Sequence, residues 1–207
     1  MDWNEEMLEK WQKVDLENGN IIYLRERKNE EVDEIKLPKI EVAENKRIHV
    51  RKKNVKPILG TTTIILTDND KKFLGLCEFR IKDGEAALST RDVNEYNNMD
   101  LPEELEKARK DIEDNSDAIF VNKNMKNTGL GTQLLIIGFN YLKRKGIDTV
   151  TVAAAIDSRK FYEKTGADFN SSTDIFYTNL SEKIEKLTVK LKEKERKENA
   201  KESEIEK

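Results

Sequence analysis

Two short stretches hold the residue types and spacing that could do chemistry. In "KNTGLG" (126–131), Gly129 and Gly131 stand one residue apart, directly before an apolar run ending at "KRKG". In "FYEKTGA" (161–167), Tyr162 sits on a short segment closed by Gly166. A strand, a polar turn with glycines and then a helix presents backbone N–H groups to an anion. The first four helical amides lack intrahelical acceptors, the macrodipole adds partial positive charge, and glycine lets a ligand approach the main chain closely. Such a loop can hold a pyrophosphate. It is not a P-loop, because no Gly-Lys-Ser/Thr follows, and Leu134 stands where a dinucleotide fingerprint wants its third glycine. The same residues also fit a plainer reading, in which Gly129 ends a turn and Gly131 eases the packing of a helix on a sheet.

Strands and helices must position these stretches. Trp3, Met7, Leu8, Trp11 and Val14 recur at helical spacing and predict an amphipathic N-terminal helix. "NIIYLRE" (20–26) and "KRIHVRK" (46–52) read as strands. "TTTIILT", "KFLGLCEFRI" and "EAALST", separated by "DNDK" and "KDG", predict an antiparallel meander. "LPEELEKARKDIED" (101–114) has Pro and acidic residues at its start and reads as a surface helix. "DAIFV" (117–121) is a short apolar strand that feeds the polar loop "NKNMKNTG". Then follow a helix closed by Gly146, a buried strand at "DTVTVAAA" (148–155), a short helix at "SRKFYEKTG" and a last strand at "STDIFYTNL". Leu180, Ile184, Leu187 and Leu191 form a 4-3-4 seam in the charged C-terminal stretch. It reads either as a solvated helix fraying into a disordered tail or as a helix for self-association or a partner. The expected organisation is an N-terminal helix and strands over 1–56 packed on the main domain, a central domain over 57–180, and a charged helical or disordered tail over 181–207.

The composition excludes several classes. The 207 residues carry 38 Lys and Arg against 41 Asp and Glu, a formal net charge of -3, so a broadly basic nucleic-acid surface is not expected. Cys77 is the only cysteine, which rules out an intrachain disulfide and favours a reducing compartment. With no apolar run long enough to span a bilayer and an acidic start, the expectation is a soluble cytoplasmic protein with no membrane partner. His49, the only histidine, has no Cys or clustered carboxylate at ligand spacing, so no metal is expected. Cys77 reads as a small core residue, Trp3 and Trp11 as packing anchors, and "RKKNVK" (51–56) as a solvated turn.

Taken together and in this order, the two motifs resemble those of the GCN5-related N-acetyltransferase (GNAT) superfamily. Its acetyl-CoA loop, Gln/Arg-x-x-Gly-x-Gly/Ala, is similar to "KNTGLG", with Lys126 in the basic first position. Its aliphatic-Tyr-Glu-Lys-x-Gly-Phe run is similar to "FYEKTGA". The likeness runs from about Thr61 to Leu180. The chain departs from the pattern at Lys126, at Ala167 where Phe is common, and at Ala155, where these enzymes often carry an Asn. The helix at 101–114 is an insertion before the loop-feeding strand.

The resemblance implies an α+β fold with a central mixed, mostly antiparallel sheet, flanking helices and a charged C-terminal helix. It also implies acetyl-CoA-dependent N-acetyl transfer to the amine of a small molecule, peptide or protein by direct attack. Backbone amides of Lys126, Asn127, Thr128, Gly129, Leu130, Gly131 and Thr132 would then bind the CoA pyrophosphate. Ile119, Phe120 and Val121 would pair with the pantetheine arm like an added strand. Tyr162 is the candidate general acid for the leaving thiolate. Glu78, or alternatively Asp117, is the candidate base, although each also reads as an ordinary sheet carboxylate. The alternative function is a non-catalytic module of the same fold that binds a partner through its charged ends.

Overall fold

The structure is a computed structural model. It describes residues 11–27, 60–82, 84–88, 101–109, 119–152, 158–170 and 175–205. Trp3, Met7, Leu8, His49, the strand expected at 46–52, Asp117 and Ala155 lie outside them.

Nine strands form one sheet among the described residues: β1 (Gln12–Asp15), β2 (Ile21–Arg27), β3 (Gly60–Thr67), β4 (Phe73–Lys82), β5 (Glu85–Leu88), β6 (Ile119–Val121), β7 (Thr149–Val152), β8 (Asp168–Phe169) and β9 (Ile175–Thr178). The spatial order is β1-β2-β3-β4-β5-β7-β9-β8, and β6 pairs with β4 off this path. Only β5 and β7 run parallel among these pairs, so the sheet is mixed and mostly antiparallel, as expected.

The N-terminal helix expected through Val14 gives way to a strand over Gln12–Asp15. The cause is the turn "ENGN": the Leu16 N–H donates to the Asn20 carbonyl (2.8 Å) and Gly19 takes φ +84°. Asn-Gly between two pairing segments is a hairpin signal, and it folds β1 back along β2. "DTVTVAAA" differs in another way. Over Thr149–Val152 only Val150 and Val152 are buried, so the strand alternates and is not buried throughout.

Among the described residues three helices follow the loop: α1 (Leu130–Arg144), α2 (Arg159–Lys164) and α3 (Leu180–Ile205). α1 buries Leu130, Leu134, Leu135, Ile137, Phe139, Tyr141 and Leu142, at roughly 1.5–3 kcal/mol for each large apolar side chain. It ends where Gly146 takes φ +75°, with Lys143 and Arg144 in its last turn complementing the dipole. Gly138 lets α1 sit down on β4, because a Cβ there would overlap the buried ring of Phe79. The Asp148 carboxylate accepts from the first amide of α3 (3.0 Å). Leu180 and Leu187 of that helix are fully buried in the main core, with Ile184 packed against it.

The opposite face carries a smaller core of Ile21, Tyr23, Ile65, Phe73, Leu76, Leu101 and Leu105, with Trp11 and Phe120 against it. The segment expected as a surface helix contributes here. It is a 3-10 helix over Glu103–Ala108 that buries Leu105 and, just before it, Leu101. Glu104 lies 3.5 Å from the Lys13 ammonium. Its carboxyl is held below the usual carboxylate range, first by the Tyr23 hydroxyl and then by Lys13. A depressed folded-state value stabilises the fold only above the unfolded-state value and is lost as pH falls through the folded one. The wild type should therefore resist urea better than Glu104→Gln at pH 7, with the gap closing toward pH 3. A gap independent of pH would contradict the contact.

Candidate functional site

The loop begins where β6 leaves β4. β6 is laid antiparallel on β4 with Gly75 opposite Val121, Leu76 opposite Phe120 and Cys77 opposite Ile119. On the same edge of β4, β5 pairs two ladder positions further along, with Leu88 opposite Phe79. β5 and β6 thus share one edge of β4, although residues 89–118 separate them in sequence. The position between them lies opposite Glu78. Among the described residues β6 pairs with β4 alone, so its other edge meets no strand, while β7 lies beside β5.

Asn122 pins the exit from β6. Its amide donates to the Leu74 carbonyl (2.9 Å), its side-chain Nδ2 donates to the Phe73 carbonyl (3.3 Å), and its Oδ1 accepts from the Asn124 amide (3.2 Å). A single 3-10 turn (Lys123–Met125) follows. The Thr128 hydroxyl donates to the Met125 carbonyl (2.7 Å), and Asn127 (φ +67°) and Gly129 (φ +99°) both take left-handed conformations. The first helical bond of α1 runs from the Gln133 amide to the Gly129 carbonyl (3.0 Å). The amides of Leu130, Gly131 and Thr132 meet no acceptor among the described residues. No acidic residue stands in the first turn of α1, so no carboxylate of that turn competes for the positive end of the dipole. Lys126, Asn127 and Thr128 are exposed.

Both glycines also have packing reasons. A Cβ on Gly131 would lie 3.0 Å from the Phe161 ring and 3.6 Å from Val121. A Cβ on Gly129 would lie 2.7 Å from Leu191 of α3, on a backbone that side chains rarely adopt. The packing reading left open by the sequence therefore holds for both glycines, and the amides at the helix start meet no acceptor among the described residues. The residue of the second motif that touches the loop-to-helix start is Phe161.

Tyr162 is buried in the main core, edge-on to Phe161 (centroids 5.2 Å apart) and to Tyr177 (6.5 Å). Burial pushes the Tyr177 phenol up, and its hydroxyl lies 2.6 Å from the Thr165 hydroxyl. Glu78 is buried on the opposite face from α1, since its neighbours Cys77 and Phe79 face Gly138. The Thr63 hydroxyl donates to its Oε2 (3.1 Å). Tyr162 and Glu78 therefore lie on opposite faces of the sheet. Phe161, Leu191 and Lys194 border the loop but were not assigned from the sequence. Leu191 was visible only as the last member of the 4-3-4 seam, and the Lys194 ammonium, which donates to the Asn127 carbonyl, gave no signal within a lysine-rich stretch. No cluster of three potential metal ligands occurs among the described residues, and no helix there is long and apolar enough to cross a membrane.

No protein-family model matches the chain, and no curated protein does. Among solved structures the chain is similar to Tetrahymena GCN5, at 14% identity and a TM-score of 0.38 over 57% of this chain and 68% of that one. It is also similar to an acetyltransferase of the GNAT family from Staphylococcus aureus, at 18% identity and a TM-score of 0.37 over 58% and 68%. These likenesses concern the course of the chain and carry nothing about its chemistry.

The Phe161 contact can be tested alone. Gly131→Val should cost about 1–3 kcal/mol by overpacking, and Phe161→Ala should relieve part of that loss, giving a coupling on the order of 1 kcal/mol in a double-mutant cycle by urea denaturation. Additive losses would mean that the two residues do not meet.

Proposed function

We propose that this protein is an acetyl-CoA-dependent N-acetyltransferase. The observation that carries the reading is a strand that, among the described residues, has one open edge and runs into a glycine loop, whose following helix offers three amides without acceptors there and no acidic first turn. Edge strands accept an extended ligand through main-chain hydrogen bonds, and helix starts accept phosphate. CoA has both parts: a pantetheine arm with amides and a pyrophosphate. Ile119, Phe120 and Val121 would hold the arm, and the amides of Leu130, Gly131 and Thr132, with Lys126 nearby, the pyrophosphate.

In that pose the thioester lies in the gap beside β6. An amine must first lose a proton, because an ammonium has no lone pair, and Glu78 on one face of the sheet is the group to take it. The amine nitrogen then bonds to the thioester carbonyl carbon, with a strand N–H near Val121 donating to the developing oxyanion. The carbon–sulfur bond breaks, the sulfur leaves with the electron pair and takes the proton of Tyr162 on the other face, and the attacking nitrogen gives its second proton to water, from which the Tyr162 phenolate is reprotonated. Base and acid on opposite faces suit a substrate threaded through the sheet edge. The acceptor is an amine of a small molecule, peptide or protein, and the single cysteine favours a reducing, cytoplasmic setting.

A second reading has its own observation. Leu191 lies against Gly129, as in a module that keeps the fold and uses its C-terminal helix for contacts and not for turnover. A thermal-shift titration with acetyl-CoA tests both. Ligand at a hundredfold its Kd stabilises by about 2.7 kcal/mol, so the melting temperature should rise, and the absence of any rise contradicts CoA binding. Release of free thiol that is lost in Tyr162→Phe, with the thermal shift kept, is the result expected for the enzyme. Binding without thiol release supports the second reading, and undiminished release in Tyr162→Phe removes that residue from the chemistry.

A further inference from the structure

The C-terminal helix divides into two parts by what it touches. Its first two turns are locked into the main core by Leu180 and Leu187, and Lys183 donates to the Gly166 carbonyl (2.5 Å) while pairing with Asp168 (3.2 Å). Beyond Leu187 no residue of α3 whose burial is described is buried. Lys190 donates to the Lys164 carbonyl at the end of α2 (3.2 Å), Leu191 lies against Gly129, and Lys194 donates to the Asn127 carbonyl of the loop. This half thus rests on main-chain atoms of the two glycine motifs. Its side chains there are an apolar group and cations hydrogen-bonded to carbonyls, interactions of modest net strength.

We propose that this half of α3 is an autoinhibitory strap. Seated, Leu191 covers the Gly129 side of the loop and hinders an anion from approaching the free amides at the start of α1. Lifted from about Thr188 onward, with Leu180 and Leu187 still anchored, it leaves the loop open. The proposal rests on the reading of this loop as the CoA site and concerns its regulation. The strap's described contacts include a leucine against a glycine and two ammonium-to-carbonyl bonds, from Lys190 and Lys194. The strap makes the open loop a minor population, and apparent affinity falls by that fraction because the apparent Kd is the intrinsic one divided by the competent fraction.

The test uses the full chain with Lys194→Ala, which keeps the apolar seam, and with Leu191→Ala plus Lys194→Ala. Neither touches Leu180, Leu187 or the groups assigned to chemistry, and circular dichroism checks that helix content is kept. CoA is titrated calorimetrically, and exchange at the amides of Leu130, Gly131 and Thr132 is followed without ligand. The strap predicts faster exchange at those amides and tighter CoA binding, on the order of tenfold in the double variant, with a smaller gain in Lys194→Ala. Equal or weaker affinity in the variants overturns the strap while leaving CoA binding in place. If neither wild type nor variants bind CoA or inorganic pyrophosphate, the loop assignment falls, and the strap with it.

Discussion

The edge of β4 is the constraint on which the rest depends. Over Phe79–Lys82 that edge is taken by β5, and over Gly75–Cys77 by β6. β5 ends opposite Phe79 and β6 takes up the same edge at Cys77, two ladder positions along. Because β6 follows where β5 stops, it arrives beside β4 with its outer edge unpaired among the described residues, while β7 stays with β5. That arrangement starts the glycine loop at the Asn122 anchor and sets Glu78 at the junction of the two strands. Gly75 permits it: a Cβ there would meet the Phe120 carbonyl and Leu134.

Packing then fixes the helices against this edge. α1 is seated on β4 through Gly138 over Phe79. α2 is held against the start of α1 by Phe161 on Gly131, and α3 runs across both through the Leu180–Leu187 seam and its lysine contacts to carbonyls. The same glycines that make the loop approachable also allow these helices to close around it. A close-packed helix start does not preclude an anion site, and in the proposal above the covering helix decides whether an anion reaches it.

Much of this was legible in the sequence, for identifiable reasons. The meander from Gly60 to Leu88 and the helix closed by Gly146 follow from local patterns of period 2 and 3.6 with strong turn residues, so they appear as expected. The segment around Trp11 misled because its apolar spacing is helical while the Asn18-Gly19 turn beyond it demands a hairpin, and pairing with β2 prevails. The 3-10 helix at Glu103–Ala108 looked like a surface element because its few apolar residues gave no hint of the second core formed by Tyr23, Phe73 and Leu76. In the site, glycine spacing marked the loop. Contacts made across long sequence separations, such as Leu191 on Gly129, leave no local trace. Likewise, nothing in "FYEKTGA" distinguishes Phe161, which touches the loop-to-helix start, from Tyr162, which is turned into the core.

The central claim is that main-chain groups of β6 and of the start of α1 bind CoA. Two-dimensional amide NMR of the protein with and without CoA measures this residue by residue. Perturbation concentrated at Ile119–Val121 and at Leu130, Gly131 and Thr132 is the predicted result. Spectra unchanged at those amides under saturating CoA would contradict it.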